Sequence, residues 1–134
     1  MTPPTLPSYV EQDPFDLPEW LGSAEVAWRS EGALGAGHRV AGTLTSAGHQ
    51  AVPCDLLAVD DAYPEPVAAD TLRVRAHQVW QHGEVLVVSA GGRVLLALPG
   101  SRVGLDDAVD ALRRLAKAVG ARPDAWSVLL RVGR

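Results

Sequence analysis

A double glycine between two apolar runs does most to limit the folds open to this chain. The run from Glu84 to Ala90 precedes Gly91 and Gly92. The run from Arg93 to Leu98 follows, closed by Pro99 and Gly100. Both runs are rich in valine and leucine and favour strands. Two adjacent glycines can both take positive φ without a Cβ clash, which is what a tight hairpin turn requires. Beyond the hairpin, Leu105, Ala108, Val109, Leu112, Leu115, Ala116 and Val119 recur at helical spacing and share one broad face. Asp106, Asp107 and Asp110 lie near the start of that stretch, and Arg113, Arg114 and Lys117 toward its end. This order complements the helix dipole and permits an Asp110–Arg114 pair. Hairpin plus amphipathic helix defines an α+β domain. Both hairpin strands are apolar at both parities, so a second cover is required: the N-terminal arm, the last segment or a partner.

Upstream, Ala24 to Ser30 alternates as a half-buried strand does, with Val26 and Trp28 on one side and Glu25 and Arg29 on the other. His38 to Thr45 and Val52 to Val59 read as two further strands, and Pro53 suggests an edge position or a bulge for the latter. The short connections make an antiparallel meander the simplest pairing. A helix is predicted from about Ala69 to His82, with Leu72, Ala76, Val79 and Trp80 as its stripe and Gly83 as its stop. Ala125 to Val132 fits a strand through Trp126, Val128, Leu130 and Val132, or a short helix. The expected fold is therefore α+β, in the order β-β-β-α-β-β-α and then a strand or short helix. One antiparallel sheet of five to six strands would carry the two main helices on one face. This order is similar to that of secretion-chaperone-like dimers, provided residues 15 to 22 form a short first helix; the likeness is one of fold and implies no activity.

The 134 residues suit one domain, residues 23 to 134, preceded by an arm over residues 1 to 22. A chain of this length buries roughly two-thirds of its unfolded surface and needs no metal or disulfide to fold. Five prolines by position 18 keep the arm extended. Phe15, Leu17 and Trp20 give it more apolar surface than a free tail carries, so they are expected to dock on this domain or on a second copy. The net charge of −4 argues against nucleic acid or a membrane surface as a general partner. The absence of a membrane-length apolar run or a signal core makes the cytoplasm the expected compartment. One cysteine fits a reducing environment. The lack of Ile and Asn, with a single lysine, resembles the codon bias of a GC-rich bacterial genome, as in actinobacteria.

Chemistry-bearing residues are sparse. The loop from Asp60 to Pro66 offers Asp60, Asp61 and Glu65 with Tyr63 between them. Carboxylates in a short loop suit a hard cation, but the EF-hand spacing is missing, and backbone-bonded loop acids explain them as well. His77 lies beside the stripe of the predicted helix 69–82. A carboxylate beside it would make an acid–base group, whereas a boundary histidine needs only water or backbone. Cys54, next to Asp55 in a strand, reads as a small buried hydrophobe. His38, His49 and His82 lack zinc-ligand spacing. No catalytic set, metal site or cofactor is expected.

Two functional readings remain. The first is a small non-enzymatic interaction domain, adaptor- or chaperone-like. It would be a homodimer or bind another protein, with Phe15, Leu17 and Trp20 at the interface. The second is a small enzyme or ligand-binding protein whose pocket lies between the 60–66 loop and helix 69–82, lined by Asp60, Asp61, Tyr63 and His77.

Overall fold

The computed structural model describes residues 8–32, 34, 37–60 and 68–129. In chain order the elements are β1 (Val10–Glu11), two 3-10 turns (Pro14–Asp16 and Glu19–Gly22), β2 (Val26–Ser30), β3 (Arg39–Val40), β4 (Gly42–Thr45), β5 (Val52–Ala58), α1 (Asp70–Gln81), β6 (Leu86–Ala90), β7 (Arg93–Leu98), α2 (Leu105–Ala118) and β8 (Trp126–Leu129). The strands run β1-β6-β7-β5-β4-β2-β8 across one sheet, with β3 beside β4 on the flank of β5.

The sheet is mixed, not antiparallel, and it has eight described strands instead of five or six. β5 and β7 pair in parallel from Cys54 opposite Val94 to Ala58 opposite Leu98, and β2 and β8 pair in parallel from Val26 opposite Trp126. The short turns do set antiparallel neighbours, as in β4·β5 and β6·β7. They say nothing about strands joined through a helix. α1 with β6 carries the chain back so that β7 re-enters alongside β5 in the same direction, and α2 does the same for β8. Pro53 stands at the start of a central strand. It is tolerated because the ladder to β7 begins only at Cys54, so no β7 partner is lost at the missing N–H.

The two helices lie on opposite faces of the sheet, a second correction. Cys54, Leu56 and Ala58 of β5 and Val94, Leu96 and Leu98 of β7 share a core with Ala108, Ala111, Leu112 and Leu115 of α2. The alternate residues Leu57, Leu95 and Ala97 share another with Ala76 and Val79 of α1. The double apolarity of the hairpin thus has an internal cause: each face meets its own helix. Leu112 and Leu115 are almost wholly removed from water, which contributes roughly 2 kcal/mol each. Gly91 and Gly92 both have positive φ, 58° and 77°, as the hairpin turn demands. Asp107 accepts the Gly104 N–H at 3.1 Å and closes the first turn of α2.

The segment from Pro14 to Gly22 forms two 3-10 turns, not the short helix that the chaperone-like order requires. Leu17 and Leu21 are buried in the α2-side core. Arg114 joins the parts at the end of the sheet where β6 begins. Its guanidinium lies 3.7 Å from the Trp80 ring centroid, donates to the carbonyls of Trp80 and Glu84, and pairs with Asp110.

Candidate functional site

Asp60 follows β5 directly, and His77 sits on the third turn of α1. The structure brings them together. His77 Nε2 lies 2.7 Å from Asp60 Oδ1 and 2.9 Å from Oδ2, while the Gly100 N–H donates to Oδ2 at 2.7 Å. The carboxylate is anchored from both sides. The Asp60 N–H donates to the Gly100 carbonyl, so the loop after β7 grips the exit of β5 by two hydrogen bonds. Burial pushes the Asp60 pKa up, but the hydrogen bonds from His77 and Gly100 and the positive charges of His77 and Arg73 outweigh it, and the net direction is down. The side chains are 46% exposed for His77 and 28% for Asp60, so the pair is open to solvent. Held through Nε2, the imidazole keeps Nδ1 for another partner, the geometry of an oriented acid–base group. Asp61 and Tyr63, the other two members of the expected pocket, lie outside the described residues, as does Glu65.

A second carboxylate on the same strand carries a denser network that sequence reading missed. Asp55 is fully buried. Arg93 donates to both of its oxygens at 2.9 and 2.8 Å, Arg39 donates twice to Oδ2 at 3.2 and 2.7 Å, and the Gly42 N–H donates to Oδ1 at 3.2 Å. Burial raises its pKa. The hydrogen bonds from Arg93, Arg39 and Gly42, with the Arg93 charge, reverse that and hold the carboxyl below its ordinary value. The only signal in the sequence was a lone charge inside the apolar run 52–59, which demands a partner. Every lone pair is committed, so this cluster ties β3, β4, β5 and β7 together and offers no free group for chemistry.

Cys54 is buried, and its carbonyl accepts the Trp28 indole N–H at 2.8 Å. Burial first, then the Asp55 charge, push its thiol far above the ordinary range against the opposing pull of Arg93, so it is no nucleophile. His49 stacks on Trp20 with ring centroids 4.9 Å apart.

The expected interface residues separate. Leu17 is spent in the core, and Trp20 is partly buried against it. Phe15 is 83% exposed. Its backbone is fixed, because Asp13 Oδ1 accepts the Phe15 N–H at 3.0 Å and Pro14 opens the turn. It stands at the rim of a groove of about 600 Å³ whose walls include Val79, Val85 and Val87, and whose polar lining includes Asp13, Glu84 and Lys117. A different trough, about 450 Å³, runs between α2 and β8. Neither Asp60 nor His77 lines either one.

The chain matches no known protein family, no curated protein and no solved structure. Among the described residues, no helix is long and apolar enough to cross a membrane.

Proposed function

We propose that this protein is a small non-enzymatic interaction domain, adaptor- or chaperone-like, that pairs with a second copy of itself through the face around Phe15. One observation carries the reading: a large, exposed aromatic ring stands on a backbone turn fixed by Asp13, beside a groove with an apolar floor. Aromatic anchors dominate interface energetics, and an exposed phenylalanine beside a groove suits that role. The groove lining mixes Asp13 and Glu84 with Arg75, so a two-fold arrangement can place opposite charges against each other. Sedimentation equilibrium across a concentration series tests this. The expected result is a dimer that Phe15→Glu converts to a folded monomer, with the melting temperature of the wild type diluted until it dissociates. A wild-type protein that stays monomeric at the highest concentration, or a Phe15→Glu variant that stays dimeric, rejects it.

The contact between Asp60 and His77 supports a second reading, a ligand-binding or acid–base site between the 60–66 loop and α1. A thermal-shift screen of small metabolites tests it. A ligand whose stabilisation disappears in both Asp60→Asn and His77→Gln would move the function to that site.

A further inference from the structure

Among the described residues β8 ends the sheet, and its outer edge borders the trough under α2. In the parallel register of Val26 opposite Trp126, the Val26 N–H donates to the Ala125 carbonyl. The alternation of a parallel ladder then points the N–H and C=O of Ser127 toward β2, and those of Trp126 and Val128 away from it. Among the described residues, nothing pairs with these outward groups. The side chains of the same two residues turn to the α2 face and line the trough together with Val109, Leu112 and Ala116. The Trp126 indole is fixed there by its N–H to the Leu21 carbonyl at 3.0 Å. Arg113 and Lys117, one helical turn apart on α2, also line the trough, and neither makes an ion pair with a described residue. β8 itself carries no charge and no proline within Trp126–Leu129, the usual protections of an edge.

We propose that the β8 edge and the α2 trough bind an extended acidic segment of another protein. The segment adds to the sheet as a strand whose every second side chain faces α2, and those positions carry both apolar residues for the trough and carboxylates for Arg113 and Lys117 at its rim. Backbone hydrogen bonds to Trp126 and Val128 supply the pairing, the trough selects apolar residues among the positions that face α2, and the two cations select for acid at the remaining positions on that face. A second copy of β8 suits this edge less well. Its sequence supplies no carboxylate, and a two-fold pairing of sheet edges brings both basic rims to the same side. The inference does not rest on dimerisation through Phe15.

The test uses the full chain and two labelled decapeptides in which every second residue is serine; the positions between them alternate valine with glutamate in one peptide and valine with lysine in the other. Binding is followed by fluorescence anisotropy, and the site by amide resonances. The glutamate peptide is expected to bind, to perturb and protect the Trp126 and Val128 amides, and to weaken with salt. Arg113→Glu, a surface change, should weaken it about tenfold. Val128→Pro should abolish binding by removing an outward N–H that β2 does not use. Phe15→Glu should leave binding unchanged, which separates this site from the proposed dimer face. Equal binding of both peptides, perturbation away from β8, binding that survives Val128→Pro in a folded protein, or self-association through β8 overturns the proposal.

Discussion

Asp55 and Asp60 lie on one strand and its exit, five positions apart, yet they do different work. Asp55 is sealed from water and held by two guanidinium groups and a backbone N–H. Asp60 keeps contact with solvent, one histidine and one backbone N–H. Both have lowered pKa values, so direction alone does not separate a structural carboxylate from one available for chemistry. Saturation and exposure do. Asp55 accepts more hydrogen bonds and has no room for a ligand, whereas the Asp60–His77 pair leaves an imidazole nitrogen for another partner.

The sharpest way to break this contrast is to neutralise each acid. Asp55→Asn turns amide donors toward Arg39 and Arg93 and should cost about 3 kcal/mol, at the low end for a buried pair because the two arginines remain 43% and 31% exposed. Urea denaturation measures it. The pH dependence carries the same signature. The folded pKa of Asp55 lies below its unfolded value of about 3.9, so its stabilisation is complete above that pH and is lost as pH falls through the folded pKa. The wild type should therefore lose stability more steeply below about pH 4 than Asp55→Asn does.

Gly42→Ala comes next. A Cβ there overlaps the indole ring of buried Trp28, so the residue that donates to Asp55 must shift, at about 1 to 3 kcal/mol. The Gly42→Ala and Asp55→Asn costs should fall short of additive, because the two changes damage one network. Gly42→Ala and Asp60→Asn, which share no partner, should add.

Smallest is Asp60→Asn, at about 1 kcal/mol or less given the solvent exposure of its pair. Its clearest readout is local. The Gly100 amide resonance should titrate with a midpoint below the usual carboxylate range in the wild type, and that titration should vanish in the variant. A loss of several kcal/mol would make Asp60 as structural as Asp55.

What could be read from the sequence was local. The Gly91-Gly92 turn, the stripe on α2 and the Asp110–Arg114 pair all depend on residues a few positions apart, where steric rules and helical period decide the outcome. The parallel pairs escaped, because β5 meets β7, and β2 meets β8, only after a helix has reversed the chain. The opposite placement of the helices was within reach: Leu57 and Leu95 differ in parity from Leu56 and Leu96, and two apolar parities need two covers. At the candidate sites, His77 and Asp60 were singled out, but nothing in their 17-residue separation dictates that they touch. The partners of Asp55 lie 16 and 38 positions away, on other strands, where no periodicity points. Phe15 and Leu17 are equally apolar to the eye, and only the path of the 3-10 turn sends one inward and the other out.

The pairing of β2 with β8 also sets the order in which the molecule can be made. Val26 finds its neighbour only at Trp126, and the Trp126 indole reaches back 105 residues to Leu21. A growing chain can form the β6–β7 hairpin as soon as it leaves the ribosome, and can pair β2 with β4 once Thr45 has emerged. It cannot cover the remaining flank of β2 until Leu129 has emerged. High contact order of this kind slows folding, so during synthesis β2 waits with an open edge while the rest of the sheet assembles.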